Sequence, residues 1–331
     1  MSLNTIDYPT DDLPFQLTPY SPTIGGEISG IDLRQPLTDD QVEGIRAALL
    51  DRKVLFFRDQ NITTDQHLDF ARNFGDLEVH PFAPHKDGYP EILAITHDRD
   101  HPGQENGWHS DVTWRQQPSL GSVLRCIECP SRGGDTLFAD MYAAYDGLPA
   151  AIQELVEGRL ALHDFEGFRA RLRKRGATEA ELEDFNKAYP NPQHPLIRSH
   201  PETGRKGIYV NAAFTKHIIG MEREESARLL AILYHQASMP EYQCRFHWAA
   251  NSMAFWDNRA CQHYAASDYW PQIRGLKGRP SLAIRRFIQP KGRSRTWPKA
   301  RFAAGLHGSG WNPGTACSNR RRAYAPCALS Y

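Results

Sequence analysis

The octapeptide GWHSDVTW, residues 107–114, places a histidine and an aspartate two positions apart between two tryptophans. On a β-strand, residues i and i+2 project from the same face, so His109 and Asp111 are predicted to present an imidazole and a carboxylate side by side. An isolated H-x-D triplet is a weak signal, because a surface His–Asp pair is its commoner origin. It indicates a metal site only if a further ligand follows elsewhere in the chain.

The segment WDNRACQHYA, residues 256–265, supplies such a ligand as His263. Two histidines and one carboxylate on one face of an octahedral ion form the facial triad of non-heme Fe(II) oxygenases, whose open face takes an oxoacid and dioxygen. Arg274 follows His263 by eleven residues. On an antiparallel hairpin this spacing brings the arginine back beside the metal, where its planar guanidinium can hold a carboxylate.

Taken in order, these motifs resemble those of the taurine dioxygenase family of Fe(II)/2-oxoglutarate-dependent dioxygenases. The family pattern is H-x-D, then Thr or Ser (here Thr136), a distant His, and an Arg shortly after it. The strings WHSDVTW and WDNR and the tripeptide at residues 163–165 (HDF) also recur in that family. The likeness covers residues 15–274.

The resemblance implies a mixed α+β fold with a double-stranded β-helix (jelly-roll) core wrapped by helices. The iron ligands it implies are His109, Asp111 and His263. Thr136 and Arg274 would bind the distal carboxylate of 2-oxoglutarate. The implied reaction converts 2-oxoglutarate to succinate and CO2 while dioxygen hydroxylates an unactivated C–H bond of the substrate.

The substrate side departs from the family. His80, in VHPFAP, lies where taurine dioxygenases place a histidine near the substrate anion; a loop histidine held by its proline neighbours is the alternative. Where the family carries Tyr, Asn and Ser, this chain has Ala83, Glu105 (with Asn106 adjacent) and Phe168. The loss of polar donors implies a more apolar pocket. We therefore expect a larger sulfonate, an alkyl sulfate ester or another organic anion rather than taurine.

Periodicity agrees with an antiparallel core. A capping box at Thr38 predicts a helix to about residue 51, Thr64 begins a second helix, and the apolar residues 54–57 predict a buried strand. Further strands are predicted at residues 91–96, 122–127, 135–139, 207–211, 244–248 and 252–256, and further helices at 149–156 and 222–236. Strands and helices do not alternate regularly, which disfavours a parallel α/β sheet.

Two further segments have distinct chemistry. Residues 168–193 are densely charged and helix-prone, which predicts a solvent-facing insertion or lid. Cys126 and Cys129 form a C-x-x-C motif, but no second one exists to complete a zinc site, so buried or half-buried free thiols are predicted. Phosphate-cradling glycine motifs and the GxSxG motif of serine hydrolases are absent from the sequence.

Composition bounds the class and location of the protein. A chain of 331 residues with 40% hydrophobic and 24% charged residues is ordinary for a globular protein, and we predict a single domain over residues 1–289. No apolar run approaches the roughly 20 residues of a membrane helix. The N-terminus lacks the basic start and apolar stretch of a secretory signal, so we expect a cytoplasmic protein without membrane contact.

The C-terminal region differs from the rest in charge. Thirteen Lys or Arg and no Asp or Glu follow Asp268, and residues 290–331 show neither helical nor strand periodicity. A nucleic-acid-binding arm, a disordered extension and a change of reading frame soon after Arg274 are three explanations. Nothing marks a folded nucleic-acid module, and the second arginine of the family is Gly278 here. Our hypothesis is that the final stretch is not native family sequence.

We therefore predict an Fe(II)/2-oxoglutarate-dependent dioxygenase that acts on a small organic anion with dioxygen, in a homo-oligomer. The alternative is a family member that binds metal and ligand but is catalytically impaired by its altered C-terminal region. A zinc hydrolase using the same three ligands is disfavoured, because the Thr136 and Arg274 pair would then have no role.

Overall fold

Helices and strands alternate irregularly in the computed structural model, which describes residues 13–81, 85–95, 106–269 and 283–289. The helices are α1 (Asp39–Arg52), α2 (Thr64–Arg72), α3 (Met141–Asp146), α4 (Ala150–Val156), α5 (Glu166–Lys174), α6 (Glu179–Ala188) and α7 (Arg223–Gln236). The strands are β1 (Gln16–Pro19), β2 (Gly26–Ser29), β3 (Val54–Phe57), β4 (Asp76–Leu77), β5 (His85–Lys86), β6 (Tyr89–Ile95), β7 (Gly121–Cys126), β8 (Thr136–Asp140), β9 (Leu160–His163), β10 (Gln193–Pro195), β11 (Ile197–Ser199), β12 (Lys206–Ile208), β13 (Thr215–Ile218), β14 (Gln243–Phe246), β15 (Met253–Asp257), β16 (Cys261–Ala265) and β17 (Ala283–Gln289). Every predicted helix and strand overlaps one of these elements, and the predicted mixed helix-and-sheet class is confirmed.

The predicted start of α1 is confirmed in detail. The Thr38 hydroxyl accepts from the Gln41 backbone N–H, and the Gln41 side chain accepts from the Thr38 N–H at 3.0 Å, which completes the capping box. Helix α1 ends where Lys53 adopts a left-handed conformation with φ of 64°. That reversal directs the chain into β3, the apolar strand, whose four residues are all buried.

The strands form a large sheet and a small sheet that position the site. The large sheet runs in the order β1-β2-β3-β15-β7-β17-β6-β5, with β4 paired to β17. The small sheet that matters for the site runs β14-β8-β16. Among the described strand pairs only β2 and β3 run parallel, as expected for an antiparallel core.

The two sheets pack face to face through aromatic side chains. Phe56 of the large sheet stacks on Phe246 of the small sheet, with ring centroids 4.1 Å apart. Phe138 of β8 lies 5.6 Å from the Trp256 ring of β15. All four side chains are buried in one apolar cluster. The cluster fixes β16 of the small sheet against the end of β15, where two of the sequence motifs meet.

The other predicted segments have mixed outcomes. Residues 168–193 contain most of α5 and all of α6, whose exposed charges agree with a solvent-facing insertion, and the lid role stays a prediction. Cys126 and Cys129 are free thiols, the first buried and the second half-buried, as predicted. None of the described helices is long and apolar enough to cross a membrane. The described residues lie in one compact unit, and the predicted tail at 290–331 lies outside them.

Candidate metal centre

His109 pairs with His263 of β16 across a single antiparallel bridge. The His109 N–H donates to the His263 carbonyl at 3.1 Å, and the His263 N–H donates to the His109 carbonyl at 2.8 Å. Residues opposite each other in such a pair project their side chains to the same face. The two imidazole centroids are accordingly 4.2 Å apart.

Asp111 reaches this pair by a turn, so the prediction that a strand places His109 and Asp111 on one face was wrong about the strand, although the two side chains do lie side by side. Residues 111–114 form a turn, and Val112 has a φ of 48°. A β-branched residue rarely adopts this conformation, so the surrounding structure must hold it. One such contact is the Asp111 N–H, which donates to Asn258 Oδ1 at 3.3 Å. Tertiary hydrogen bonding, and not strand alternation, places the carboxylate.

The three side chains present their donor atoms to one point. The Nε2 atoms of His109 and His263 each lie 3.7 Å from Asp111 Oδ1. All three donor atoms lie within 4.8 Å of one another, and among the described residues this is the one group of three or more such side chains with metal-binding spacing. Two imidazoles and one carboxylate are the donor set of the facial triad, so the residues fit a divalent iron ion.

The tautomer of His109 follows from its neighbour. His109 Nδ1 lies 2.8 Å from the carbonyl oxygen of Gly107. A carbonyl oxygen only accepts, so Nδ1 carries the proton and Nε2 keeps its lone pair. The lone pair is directed to the side where Asp111 lies, as metal binding requires.

Thr136 lies on the strand next to His263. In the register of the small sheet, Phe138 pairs with His263 and Thr136 pairs with Ala265. Thr136 and Phe138 are two residues apart, so their side chains share a face with His263 at roughly 7 Å spacing along the strand. The buried Thr136 hydroxyl accepts from the Trp248 indole N–H at 2.9 Å. Trp248 was not identified as a site residue from the sequence, because its role depends on this tertiary contact with Thr136.

Arg274 lies outside the described residues, as do Ala83, Glu105 and Gly278. Asn106, next to Glu105, is exposed and donates to Ser267 Oγ at 3.3 Å.

His80 is buried beside the rings of Trp114 and Phe168, which belong with Phe214 to one apolar cluster, the aromatic wall. Its ring centroid lies 5.7 Å from that of Phe168 and 6.1 Å from that of Trp114. The wall continues to Phe214, whose ring lies 6.4 Å from His109. The residue that replaces a family serine therefore contacts the predicted substrate histidine with an aromatic ring.

The start of the helical insertion is anchored beside this wall. The Arg169 guanidinium of α5 donates to both oxygens of Asp164 at 2.6 and 2.7 Å. The Asn191 side chain donates to Asp164 as well, at 2.9 Å. The ion pair between Arg169 and Asp164 holds the first turn of α5, and with it Phe168, against His80.

Asp257 and Arg259 of the WDNR motif form a buried charged network with His200. The two Asp257 oxygens accept from Arg259 at 2.8 and 2.6 Å, and His200 Nε2 lies 3.1 Å from Oδ2. His200 Nδ1 accepts backbone N–H groups, so Nε2 carries the proton. Burial alone would raise the pKa of Asp257, but Arg259 and then His200 lower it by more, so the pKa is far below its ordinary value. The charged network fixes the turn between β15 and β16.

A second buried polar group supports the turn that carries Asp111. His163 lies between Thr113 and Thr215, with ring nitrogens 3.1 and 3.2 Å from their hydroxyl oxygens. Burial, followed by the neighbouring His194, lowers the pKa of His163 to about 3. The ring is therefore neutral at physiological pH. Through Thr113 it contacts the turn two residues after Asp111.

Comparisons with known proteins agree with this geometry. The family model for the taurine catabolism dioxygenase TauD, TfdA family matches residues 16–279. An alpha-ketoglutarate-dependent sulfate ester dioxygenase from Pseudomonas putida is 36% identical over 267 residues, which cover 79% of this chain and 87% of that protein.

Two further proteins are similar over most of their length. An alkylsulfatase from Acinetobacter baylyi is 35% identical over 281 residues, covering 82% of this chain and 86% of that protein. The crystal structure of a taurine dioxygenase from Burkholderia xenovorans superposes with a TM-score of 0.69 at 36% identity, covering 83% of this chain and 89% of that one.

Proposed function

Because this chain belongs to the taurine catabolism dioxygenase TauD, TfdA family, we propose that it hydroxylates an alkyl sulfate ester or a sulfonate with a bulky apolar group. It is a 2-oxoglutarate-dependent dioxygenase, as the sequence predicts, and the comparisons give no support to a catalytically impaired member. The observation that carries the proposal is the convergence of two imidazole nitrogens on Asp111 Oδ1, each at 3.7 Å.

The proposed metal is Fe(II), held by His109, Asp111 and His263. These ligands would occupy one face of an octahedral ion and leave the other face for 2-oxoglutarate and dioxygen. Bound Fe(II) supplies the activation of dioxygen that couples decarboxylation of 2-oxoglutarate to substrate hydroxylation. The protein orients the ligands and limits water, since the Asp111 and His263 side chains are 5% and 6% exposed.

The proposed 2-oxoglutarate site uses Thr136 and Arg274. The Thr136 hydroxyl accepts from Trp248, so its own proton remains to be donated to a carboxylate. In the strand register, Thr136 lies two residues along β8 from Phe138, the residue that pairs with His263. This separation suits a short dicarboxylate that would reach from the metal to the Thr136 hydroxyl. The role of Arg274 rests on the family resemblance.

The proposed substrate is an anion with an apolar tail. His80 would face the sulfate or sulfonate, and the half-buried rings of Phe168 and Phe214 would contact the hydrocarbon. Hydroxylation of the carbon that bears a sulfate ester gives a hydroxy sulfate. Its C–O bond to sulfate breaks as the new hydroxyl loses its proton, which releases an aldehyde and inorganic sulfate.

We further infer that the two facing sheets form a double-stranded β-helix core. The antiparallel pairing of β8 with β14 and β16, packed against β3 and β15, supports this architecture. The homo-oligomer, the cytoplasmic location and the single domain over residues 1–289 stay predictions. The hypothesis of a changed reading frame also stays open. Resequencing the gene tests it, and an intact frame with no displaced family motif in another frame would end it.

The function is tested by supplying purified protein with Fe(II), ascorbate and 2-oxoglutarate, together with taurine or linear alkyl sulfates of increasing length. We expect the longer alkyl sulfates to stimulate succinate release most, with sulfate and aldehyde formed in equal amounts. Taurine should stimulate least, because its two-carbon chain would bury little apolar surface against the aromatic wall. His109→Ala is the inactive control.

The variant Phe168→Ser tests the substrate preference more directly in the same assay. Restoring the serine of the family removes the ring that contacts His80, so preference should move towards shorter, more polar sulfonates. Succinate release that no sulfate or sulfonate stimulates in the wild-type protein would overturn the substrate proposal. Absence of succinate release from metal-loaded protein would overturn the enzyme assignment itself.

A further inference from the structure

The two oxygens of the Asp111 carboxylate lie in different surroundings. Oδ1 lies 3.7 Å from Nε2 of both His109 and His263. Oδ2 accepts a hydrogen bond from the Ser122 hydroxyl at 2.7 Å. Ser122 comes from β7 of the large sheet and belongs to none of the motifs of the sequence.

The direction of each hydrogen bond in this region is determined by chemistry. A carboxylate only accepts, so the Ser122 hydroxyl donates its single proton to Oδ2. The Ser122 oxygen then accepts from Asn258 Nδ2 at 3.1 Å. Asn258 Oδ1 accepts from the Trp256 indole N–H at 2.9 Å, and an indole only donates, so the amide cannot be flipped.

Asn258 thereby supports Asp111 twice. Its Oδ1 accepts from the Asp111 backbone N–H at 3.3 Å, and its Nδ2 orients the hydroxyl that binds the Asp111 side chain. Ser122 is 0% exposed and Asn258 is 2% exposed. Bulk water therefore has no access that would let it replace either contact.

We propose that Ser122 and Asn258 are positioning residues that keep Asp111 a one-oxygen ligand and set the metal affinity of the centre. The inference rests on the proposed metal site. A carboxylate can bind a metal through one or both oxygens. If both oxygens of Asp111 bound, they would take a position that 2-oxoglutarate or dioxygen needs. Engaging Oδ2 with a buried hydroxyl directs Oδ1 alone to the metal.

The test uses Ser122→Ala with Ser119→Ala as the matched control. Ser119 is also buried, lies three residues earlier, and donates to a carboxylate oxygen of Glu78 at 3.1 Å. Both variants lose one buried serine–carboxylate bond, but only Ser122→Ala loses it at a predicted metal ligand. Mn(II) and Co(II) affinities are measured by calorimetry on the full chain, and the Co(II) ligand-field absorption is recorded.

Ser122→Ala is expected to weaken metal binding by about 10- to 100-fold, the range found when partners of metal ligands are removed. Its Co(II) absorption should change as Asp111 binds through both oxygens. Ser119→Ala should keep wild-type affinity and spectrum. Ser122→Thr retains the hydroxyl, so it should restore most of the affinity even if its added methyl lowers the melting temperature.

Two results would overturn the inference: Ser122→Ala that binds metal within twofold of wild type with an unchanged Co(II) spectrum, or equal losses in both alanine variants. If Ser122→Ala does not fold, Asn258→Ala is measured against the same criteria. Failure of the proposed metal site is distinguishable, because then the wild-type protein itself would show no metal binding that His109→Ala removes. Failure of the proposed reaction is also distinguishable, because then the wild-type protein would bind metal but release no succinate.

Discussion

Asp257 and Asn258 are neighbours at the end of β15, yet they contact two different buried regions. Asp257 joins a charged network with Arg259 and His200. Asn258 joins a chain of neutral hydrogen bonds that ends on the Asp111 carboxylate. One short motif thus contributes to the charged network through one residue and, as proposed above, to metal geometry through the next. Substitutions on the charged side, around Asp257, should therefore change stability, whereas substitutions on the metal side, around Asn258 and Asp111, should change metal binding.

On the metal side, Asp111→Ala gives the largest expected effect. It removes the one anionic ligand of the proposed centre, so metal binding and succinate release should both be abolished. The fold should survive, because the charged network around Asp257 is untouched. Calorimetry with Mn(II) and near-ultraviolet circular dichroism measure the two properties. Retained metal binding and activity would remove the site assignment.

On the charged side, Asp257→Ala should lower the free energy of unfolding by about 3–5 kcal/mol, since it leaves the buried Arg259 without its main partner. Urea unfolding measures the change. Asp146→Ala is the control, because it breaks a partly exposed pair with Arg205 and should cost less than about 1 kcal/mol. Equal losses of unfolding free energy in the two variants would show that the buried charged network stabilises the fold no more than a partly exposed ion pair does.

Acid should act through His163, which supports the Asp111 turn from β9. The imidazole has an ordinary pKa of 6.5 and a pKa of about 3 when folded. Between these values the unfolded chain binds a proton that the folded protein does not, so stability falls as pH decreases through this window. The expected slope from this group is about 1.4 kcal/mol per pH unit.

His163→Gln should remove that contribution. The slope of unfolding free energy against pH, measured by urea unfolding from pH 7 to pH 4, should be smaller in the variant by about one proton. Identical slopes in the two proteins would show that the ring is not held neutral.

The smallest expected effect concerns the proposed 2-oxoglutarate site. Trp248→Phe removes one hydrogen bond to the Thr136 hydroxyl, worth about 0.5–1.5 kcal/mol, so the KM for 2-oxoglutarate should rise about 2- to 10-fold. Metal affinity should not change, because Trp248 does not belong to the Asp111 network. Arg274→Ala should raise the KM more, and a larger effect of Trp248→Phe on metal than on 2-oxoglutarate would contradict the assignment.

Local elements were predictable because their causes are local. The capping box at Thr38 uses residues three apart, and β3 is apolar along its whole length because both of its faces are covered. The turn at Asp111 was not predictable in this way. Val112 adopts its positive φ only because distant residues hold the segment, and nothing in the octapeptide signals that turn.

The roles of Ser122 and Trp248 were also beyond sequence reasoning. Serine and tryptophan occur widely, and each matters here through one hydrogen bond to a residue far away in the chain. By contrast, His109 and His263 could be singled out because their motifs carry unusual chemistry. The structure then brought these two imidazoles together.

The amino-acid sequence alone was enough to predict the two imidazoles and the carboxylate as metal ligands and to identify the enzyme class, since donor chemistry belongs to each side chain. Only the tertiary structure decided which Asp111 oxygen is directed to the centre and which is held by Ser122. The physical reason is that this choice depends on how the turn, β7 and β15 are juxtaposed. Such packing is determined by the whole core and by no single segment.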